Sequence, residues 1–162
     1  MSAAANGAST NDYELVRLTE FDTGLIQELT MMEADAFGDG GLNHWTFPVF
    51  IKHGAVYVLK KDGAICGIAD IIRDWLDPGL VFIVGFLVRK ELRGKRLGSR
   101  FLGELLVALK RDGARVVQLT VDDKNSRALE LYKKAGFKNI AELSDEYGPG
   151  IDRILLELGL EG

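Results

Sequence analysis

Residues 88 to 103, "VRKELRGKRLGSRFLG", gather six cationic side chains around glycines at 94 and 98. Glycine inside a helix costs roughly 0.5–1 kcal/mol relative to alanine, so its repeated use where an amphipathic helix opens requires a reason. Without a Cβ, backbone N–H groups can converge on one point. The first helical turn adds unpaired N–H groups and the positive end of the helix dipole. Arg93, Lys95, Arg96 and Arg100 bring further positive charge within reach. The pattern is that of an anion cradle, and a pyrophosphate suits it best. A nucleotide P-loop would need Gly-Lys-Ser/Thr, and a dinucleotide fold would need Gly-x-Gly-x-x-Gly after the first strand. Neither is present. Taken alone, the segment is also compatible with a helix whose basic face is simply solvated.

A second constellation lies in "NSRALELYKKAGF", residues 125 to 137. Offsets of three, four and seven put Asn125, Ala128, Leu129 and Tyr132 on one helical face, so an amide and a phenol look along one line. Asn125 is equally a good N-cap for that helix, and the two roles can coexist.

The chain that must position these groups is 162 residues long with a formal net charge of −4. That length matches one domain with one core. Net acidity argues against a general nucleic-acid binder, so an anion site has to be local. Cys66 is the single cysteine. It excludes an intrachain disulfide framework and a multi-cysteine metal site, and it suits a reducing cytoplasm. Flanked by apolar residues in a β-rich run, it reads as a small core residue rather than a nucleophile. The longest apolar run, "LVFIVGFLV" at 80 to 88, is far short of the roughly 18–20 residues of a membrane span. "MSAAANGASTN" at the start has neither a basic nor a hydrophobic segment and reads as a disordered tail, leaving 12 to 160 as the folded domain.

The elements follow from periodicity. Residues 13 to 18 alternate as a short strand, and 22 to 37 carry helical spacing stopped by glycines at 38, 40 and 41. A short helix is expected near 43 to 52. "AVYVL" and "AICGIADII" are strands joined by "KKDG", a hairpin signal, and 80 to 88 is a third buried run. Leu97, Phe101, Leu105 and Leu109 recur four apart, which predicts a helix over 97 to 109. Residues 112 to 121 read as turn then strand, 125 to 135 as a helix ended by Gly136, and 137 to 143 and 150 to 158 as two strands. The order β α α β β β α β α β β is mixed α/β rather than a string of βαβ units.

With these residues in place, the sequence resembles the GNAT superfamily of acetyl-CoA-dependent N-acetyltransferases. The family's Arg/Gln-x-x-Gly-x-Gly/Ala loop falls on Arg93, Gly94, Lys95, Arg96, Leu97 and Gly98, followed by Ser99. Arg96 stands where glycine is usual, and Lys90 where proline is frequent. The family's Asn-x-x-Ala-x-x-Leu-Tyr-x-x-x-Gly-Phe pattern is met by Asn125, Ala128, Leu131, Tyr132, Gly136 and Phe137. The resemblance implies a mostly antiparallel sheet of about six or seven strands with about four helices, two central strands splaying apart around CoA. It implies that Phe86, Leu87 and Val88 offer their backbone to the pantetheine and that Asn125 bonds the cofactor arm. It further implies that a primary amine attacks the thioester directly and that Tyr132 protonates the departing thiolate.

A lysine-like amine of pKa about 10.4 costs roughly 4–5 kcal/mol to deprotonate at pH 7, against about 1 kcal/mol for an α-amine. Many family members use a glutamate on the strand before the loop, but 80 to 88 holds no carboxylate. The substitutes are Glu33, Asp70 and His44. Their plainer readings are a solvated helix face, an edge or hydrogen-bonded carboxylate, and an ordinary loop histidine. Phe37, Trp45, Phe47 and Phe50 could line an acceptor pocket or belong to the core. The leading expectation is a cytoplasmic N-acetyltransferase acting on a small-molecule or peptide amine, with no metal, no nucleic acid and no membrane. A homodimer is left open. Acetylation of protein N-termini or lysines is the nearest alternative, although Thr120 stands where the N-terminal group carries Glu. A non-catalytic CoA sensor is the alternative from another class.

Overall fold

The computed structural model describes residues 12–160. Residues 1–11, read above as a tail, and residues 161–162 lie outside the described residues. Strands β1 (Tyr13–Arg17), β2 (Ala55–Lys61), β3 (Ala64–Arg73), β4 (Leu80–Val88), β5 (Val116–Val121), β6 (Lys138–Leu143) and β7 (Arg153–Gly159) form one sheet. Helices α1 (Thr23–Phe37), α2 (Thr46–His53), α3 (Leu97–Arg111) and α4 (Ser126–Ala135) flank it, with 3₁₀ turns at Gly38–Gly40 and Lys90–Leu92. This is the element order expected from the sequence.

The spatial order is β1-β2-β3-β4-β5-β7-β6. Every neighbouring pair is antiparallel except β4 and β5, which are parallel and joined through α3. The sheet is buried on both faces. Ile26, Leu29, Phe47, Ile51, Val56, Val58 and Ile68 form a core under α1 and α2. Leu97, Phe101, Leu105 and Leu109 carry α3 onto the other face, against Tyr57, Ala69, Ile83, Val117 and Leu119. Fully burying a side chain such as Phe101 is worth about 1.5–3 kcal/mol, so these two stripes dominate the fold's stability.

One irregularity decides where the site lies. In β4, Gly85 pairs with Asp70 and Ile83 with Ile71, so Val84 is an extra residue bulged out of the ladder. A bulge reverses the alternation of side chains beyond it. Val81 and Ile83 accordingly face α3, whereas Leu87 faces α1 and α2, although all are an even number of residues apart.

Candidate active site

The pairing of β4 with β5 runs only from Leu80↔Val116 to Ile83↔Leu119. Beyond it Thr120 and Val121 pair with β7 alone, and Gly85 to Val88 pair with β3 alone. The two central strands therefore part at the bulge, and the β4 edge from Val84 onward has no strand beside it on that side.

Tyr132 stands over this opening. Its ring centroid is 6.4 Å from that of Phe86 in edge-on geometry, and Phe86 stacks on Phe101 at 4.8 Å. Gly136 ends α4, which lets Phe137 N–H reach back to the Tyr132 carbonyl at 3.0 Å and set its ring 5.6 Å from the Tyr132 ring. The Gly-Phe pair thus fixes the tyrosine's position. Tyr132 is only 7% exposed. Burial pushes its pKa up to about 12, and its hydroxyl has no hydrogen-bond partner among the described residues. At neutral pH it is a phenol with a proton to give. Asn125 is the N-cap of α4, its side-chain oxygen accepting from Ala128 N–H at 3.1 Å, and its amide NH2 remains available to donate.

The loop between β4 and α3 keeps the expected character and divides its cations by role. Arg89 is structural: it donates to the Ile65 carbonyl at 2.6 Å and to Glu28 at 2.7 Å. Arg100 is held by Glu104 at 3.0 Å and lies 5.1 Å from the centre of the Tyr13 ring. Lys90, Arg93, Lys95 and Arg96 are exposed. Gly94 has φ +85°, which a residue with a Cβ rarely adopts. Arg96 has φ 57° and ψ 19°, so it occupies the left-handed conformation without being glycine and keeps the loop's path. It is the N-cap of α3 but makes no side-chain cap. Helices usually recruit Ser, Thr, Asp or Asn there, and without one the N–H groups of the first turn stay available to a ligand. A Cβ at Gly94 would meet no protein atom within 4 Å, and one at Gly98 only Leu131 at 3.8 Å. The room above the loop is therefore not taken by the protein itself, and its donors and cations fit a pyrophosphate. A groove of about 360 Å³ beside it is lined by Met32 and Asp35 of α1 and by Val88, Arg89, Lys90 and Arg93.

The carboxylate candidates Glu33 and Asp70 come together. Glu33 is 1% exposed rather than solvated, and Asp70 is 0% exposed on an interior strand rather than an edge. Both carboxyl groups converge on Gly85, where a Cβ would lie 2.8 Å from Asp70 Oδ2 and 3.5 Å from Glu33 Oε1. Glycine is required here because a carboxyl occupies the space. His44 does not join them. It lines a separate cavity of about 780 Å³ between α1 and α2, with Phe21, Ile26, Met31 and Pro48. Of the aromatic set, Phe47 is core, Trp45 is exposed, and Phe37 borders Gly85, with its ring carbon Cε2 3.6 Å from the same Cβ position.

Sequence reasoning missed a contact on the rim. Tyr147, in the "SDEYGPG" connection, shares a 2.7 Å hydrogen bond with Thr120, the first β5 residue past the pairing with β4. Arg153 lies 5.7 Å from the centre of the Tyr147 ring. A tyrosine in a glycine- and proline-rich loop was the available signal.

The acetyltransferase (GNAT) family matches residues 22–137. The chain belongs to that family. A curated relative from Sulfurisphaera tokodaii, an N-alpha-acetyltransferase, is 29% identical over 128 residues, 70% of this chain and 77% of the relative. This acetyltransferase also shares its fold with the ribosomal-protein-S18-alanine N-acetyltransferase of Escherichia coli (TM-score 0.75, 18% identity, 93% of this chain and 96% of that one). A GNAT acetyltransferase from Elizabethkingia anophelis with acetyl-CoA bound superposes similarly (TM-score 0.73, 15% identity, 92% and 99%). Membership makes this chain an acyl-CoA-dependent acetyltransferase in class. Among the described residues no helix is long and apolar enough to cross a membrane.

Proposed function

We propose that this acetyltransferase moves the acetyl group of acetyl-CoA to a primary amine of a small molecule or peptide by direct attack, in one folded unit spanning 12 to 160. The observation that carries the reading is the coincidence of the β4–β5 opening with an unpartnered, protonated Tyr132 above Phe86. Bound acetyl-CoA supplies the thioester carbon that the amine attacks. Arg93, Lys95 and Arg96, with the N–H groups from Gly94 to Ser99, hold the pyrophosphate, for which the loop has room and donors. The open edge of Phe86, Leu87 and Val88 offers backbone groups to the pantetheine arm. Asn125 donates its amide N–H to that arm while its oxygen caps α4. Tyr132 is the general acid that returns a proton to the leaving sulfur.

Within this class an α-amine acceptor is favoured by the relative that is an N-alpha-acetyltransferase. An α-amine is also the easier nucleophile, because it is partly deprotonated at neutral pH.

Calorimetry with acetyl-CoA should show binding that weakens about tenfold or more in Arg93→Ala and Arg96→Ala, each charge-assisted contact being worth about 1.5–3 kcal/mol. Thiol release over a panel of free α-amine peptides, N-blocked lysine peptides and small amines should then identify the acceptor. Tyr132→Phe should lower turnover about 10²–10⁴-fold and leave acetyl-CoA affinity within twofold. Absence of acetyl-CoA binding by the wild type sinks the reading, and unchanged turnover removes Tyr132 from its role.

A further inference from the structure

Glu33 and Asp70 form a buried acidic pair whose arrangement goes further than a choice between two bases. Leu42 N–H donates to Glu33 Oε2 at 3.1 Å, but Glu33 Oε1 and both Asp70 oxygens have no protein donor among the described residues. Two ionised carboxylates cannot face each other in an apolar interior without a donor between them. A shared proton meets that need, in a hydrogen bond between the Asp70 and Glu33 carboxyls. Burial first, then the hydrogen bond and charge of Glu33, push the Asp70 carboxyl well above the ordinary carboxylate range. The groups facing Asp70 are Glu33 from α1, Gly85 from β4 and Val56 from β2, and none is a cation.

The place matters as much as the proton. Gly85 is the second residue past Ile83, where β4 leaves β5. At Gly85 β4 presents no side chain on this face, and carboxyls from β3 and α1 fill the position instead. Phe37, 42% exposed, borders the same position, so the pair lies one side chain below the surface.

We propose that Asp70 and Glu33 act as one proton-sharing unit that accepts the proton of the attacking amine through one intervening water. This rests on the acetyltransferase reading above. As the C–N bond forms and the C–S bond breaks, the nitrogen's proton passes to the water and on to Asp70, while Asp70's own proton moves to Glu33. Tyr132 protonates the sulfur and regains a proton from solvent. The pair releases its extra proton to solvent afterwards, so the net change is amine plus thioester to amide plus thiol.

The test uses the full chain with Asp70→Asn and Glu33→Gln, which keep the shape of both side chains. Infrared spectroscopy of the wild type at pH 7 should show a protonated-carboxyl C=O band that Asp70→Asn abolishes. Against an N-blocked lysine peptide, kcat/KM at pH 7 should fall about 10²–10³-fold in either variant and recover as pH approaches the amine's own pKa near 10.4. Against an α-amine peptide the loss should be about tenfold or less, and calorimetric affinity for acetyl-CoA should not change. A merely structural role would shift none of these pH profiles. No protonated carboxyl at pH 7, or wild-type profiles in both variants, overturns this assignment and leaves the acetyltransferase reading standing. A wild type that binds acetyl-CoA but acetylates no amine overturns both.

Discussion

Arg96 offers a measurement in which backbone strain and ligand charge can be separated. It sits at φ 57° and ψ 19°, one residue before α3, at the loop position where glycine would carry no penalty. A left-handed residue with a Cβ costs about 1–2 kcal/mol. Arg96→Gly removes that cost but gives the unfolded chain more freedom, worth about 0.4–1 kcal/mol in the opposite direction. The net expectation is a stabilisation of roughly 0.5–1 kcal/mol, which for a chain of this size raises Tm by about 1–4 °C. Arg96→Ala loses the same guanidinium and keeps the strain, so its Tm should stay near that of the wild type. Arg96 is exposed and makes no side-chain cap, so lost contacts do not confuse the comparison. Both variants should lose the same factor in acetyl-CoA affinity, because both lose the same charge. Differential scanning calorimetry and titration calorimetry on the three proteins decide the matter. Equal Tm values for the glycine and alanine variants would refute the strain argument, and affinity lost in only one of them would refute the assignment of the side chain to the anion.

Asn125 can be divided in the same way: Asn125→Ala should cost about 1 kcal/mol in denaturant unfolding because the α4 cap is lost. Asn125→Asp should keep the cap and the stability but weaken acetyl-CoA binding, since it retains the oxygen and loses the N–H donor. Tyr132 should make stability fall at alkaline pH. Its folded pKa is raised from 10.0 to about 12, so its contribution is fully present below pH 10 and is lost as pH rises towards 12. At pH 11 that amounts to about 1.4 kcal/mol, one pH unit above the unfolded value, and Tyr132→Phe should remove this share of the slope in urea titrations at pH 8 and pH 11.

Much of this is legible in the sequence alone. Leu97, Phe101, Leu105 and Leu109 are spaced for one helical face and all four are buried. Asp62-Gly63 marks the β2–β3 hairpin, with both residues at positive φ as the tight turn needs. The loop and the Asn125–Tyr132 face could be read because their chemistry is local, within a few turns of backbone. What could not be read is non-local. The bulge at Val84 is invisible in "LVFIVGFLV" because both faces of β4 meet apolar partners, so a change of face leaves no mark on composition. Helical spacing puts Glu33 on the buried face of α1, four residues after Leu29 and seven after Ile26, but it does not show what meets the carboxylate there. That follows from α1 crossing β3 at Asp70 and from the return of the chain to Leu42, whose N–H the carboxylate accepts. Thr120 and Tyr147 meet only because β7 brings the chain back beside β5.

The parallel pairing of Leu80–Ile83 with Val116–Leu119 has a mechanical consequence. It is the ladder that welds a four-stranded plate, β1 to β4, to a three-stranded one, β5 to β7, and it is short. The covalent strap across it is α3, whose buried stripe touches both plates. A ligand lodged past the end of the weld would act as a wedge and a rivet together, setting the angle between the plates and resisting their separation. Whatever binds there is then part of the protein's stiffness as well as its chemistry. Amide hydrogen exchange along Val84–Val88 and Thr120–Val121 should slow on binding far more than along Leu80–Ile83, where the weld already protects them.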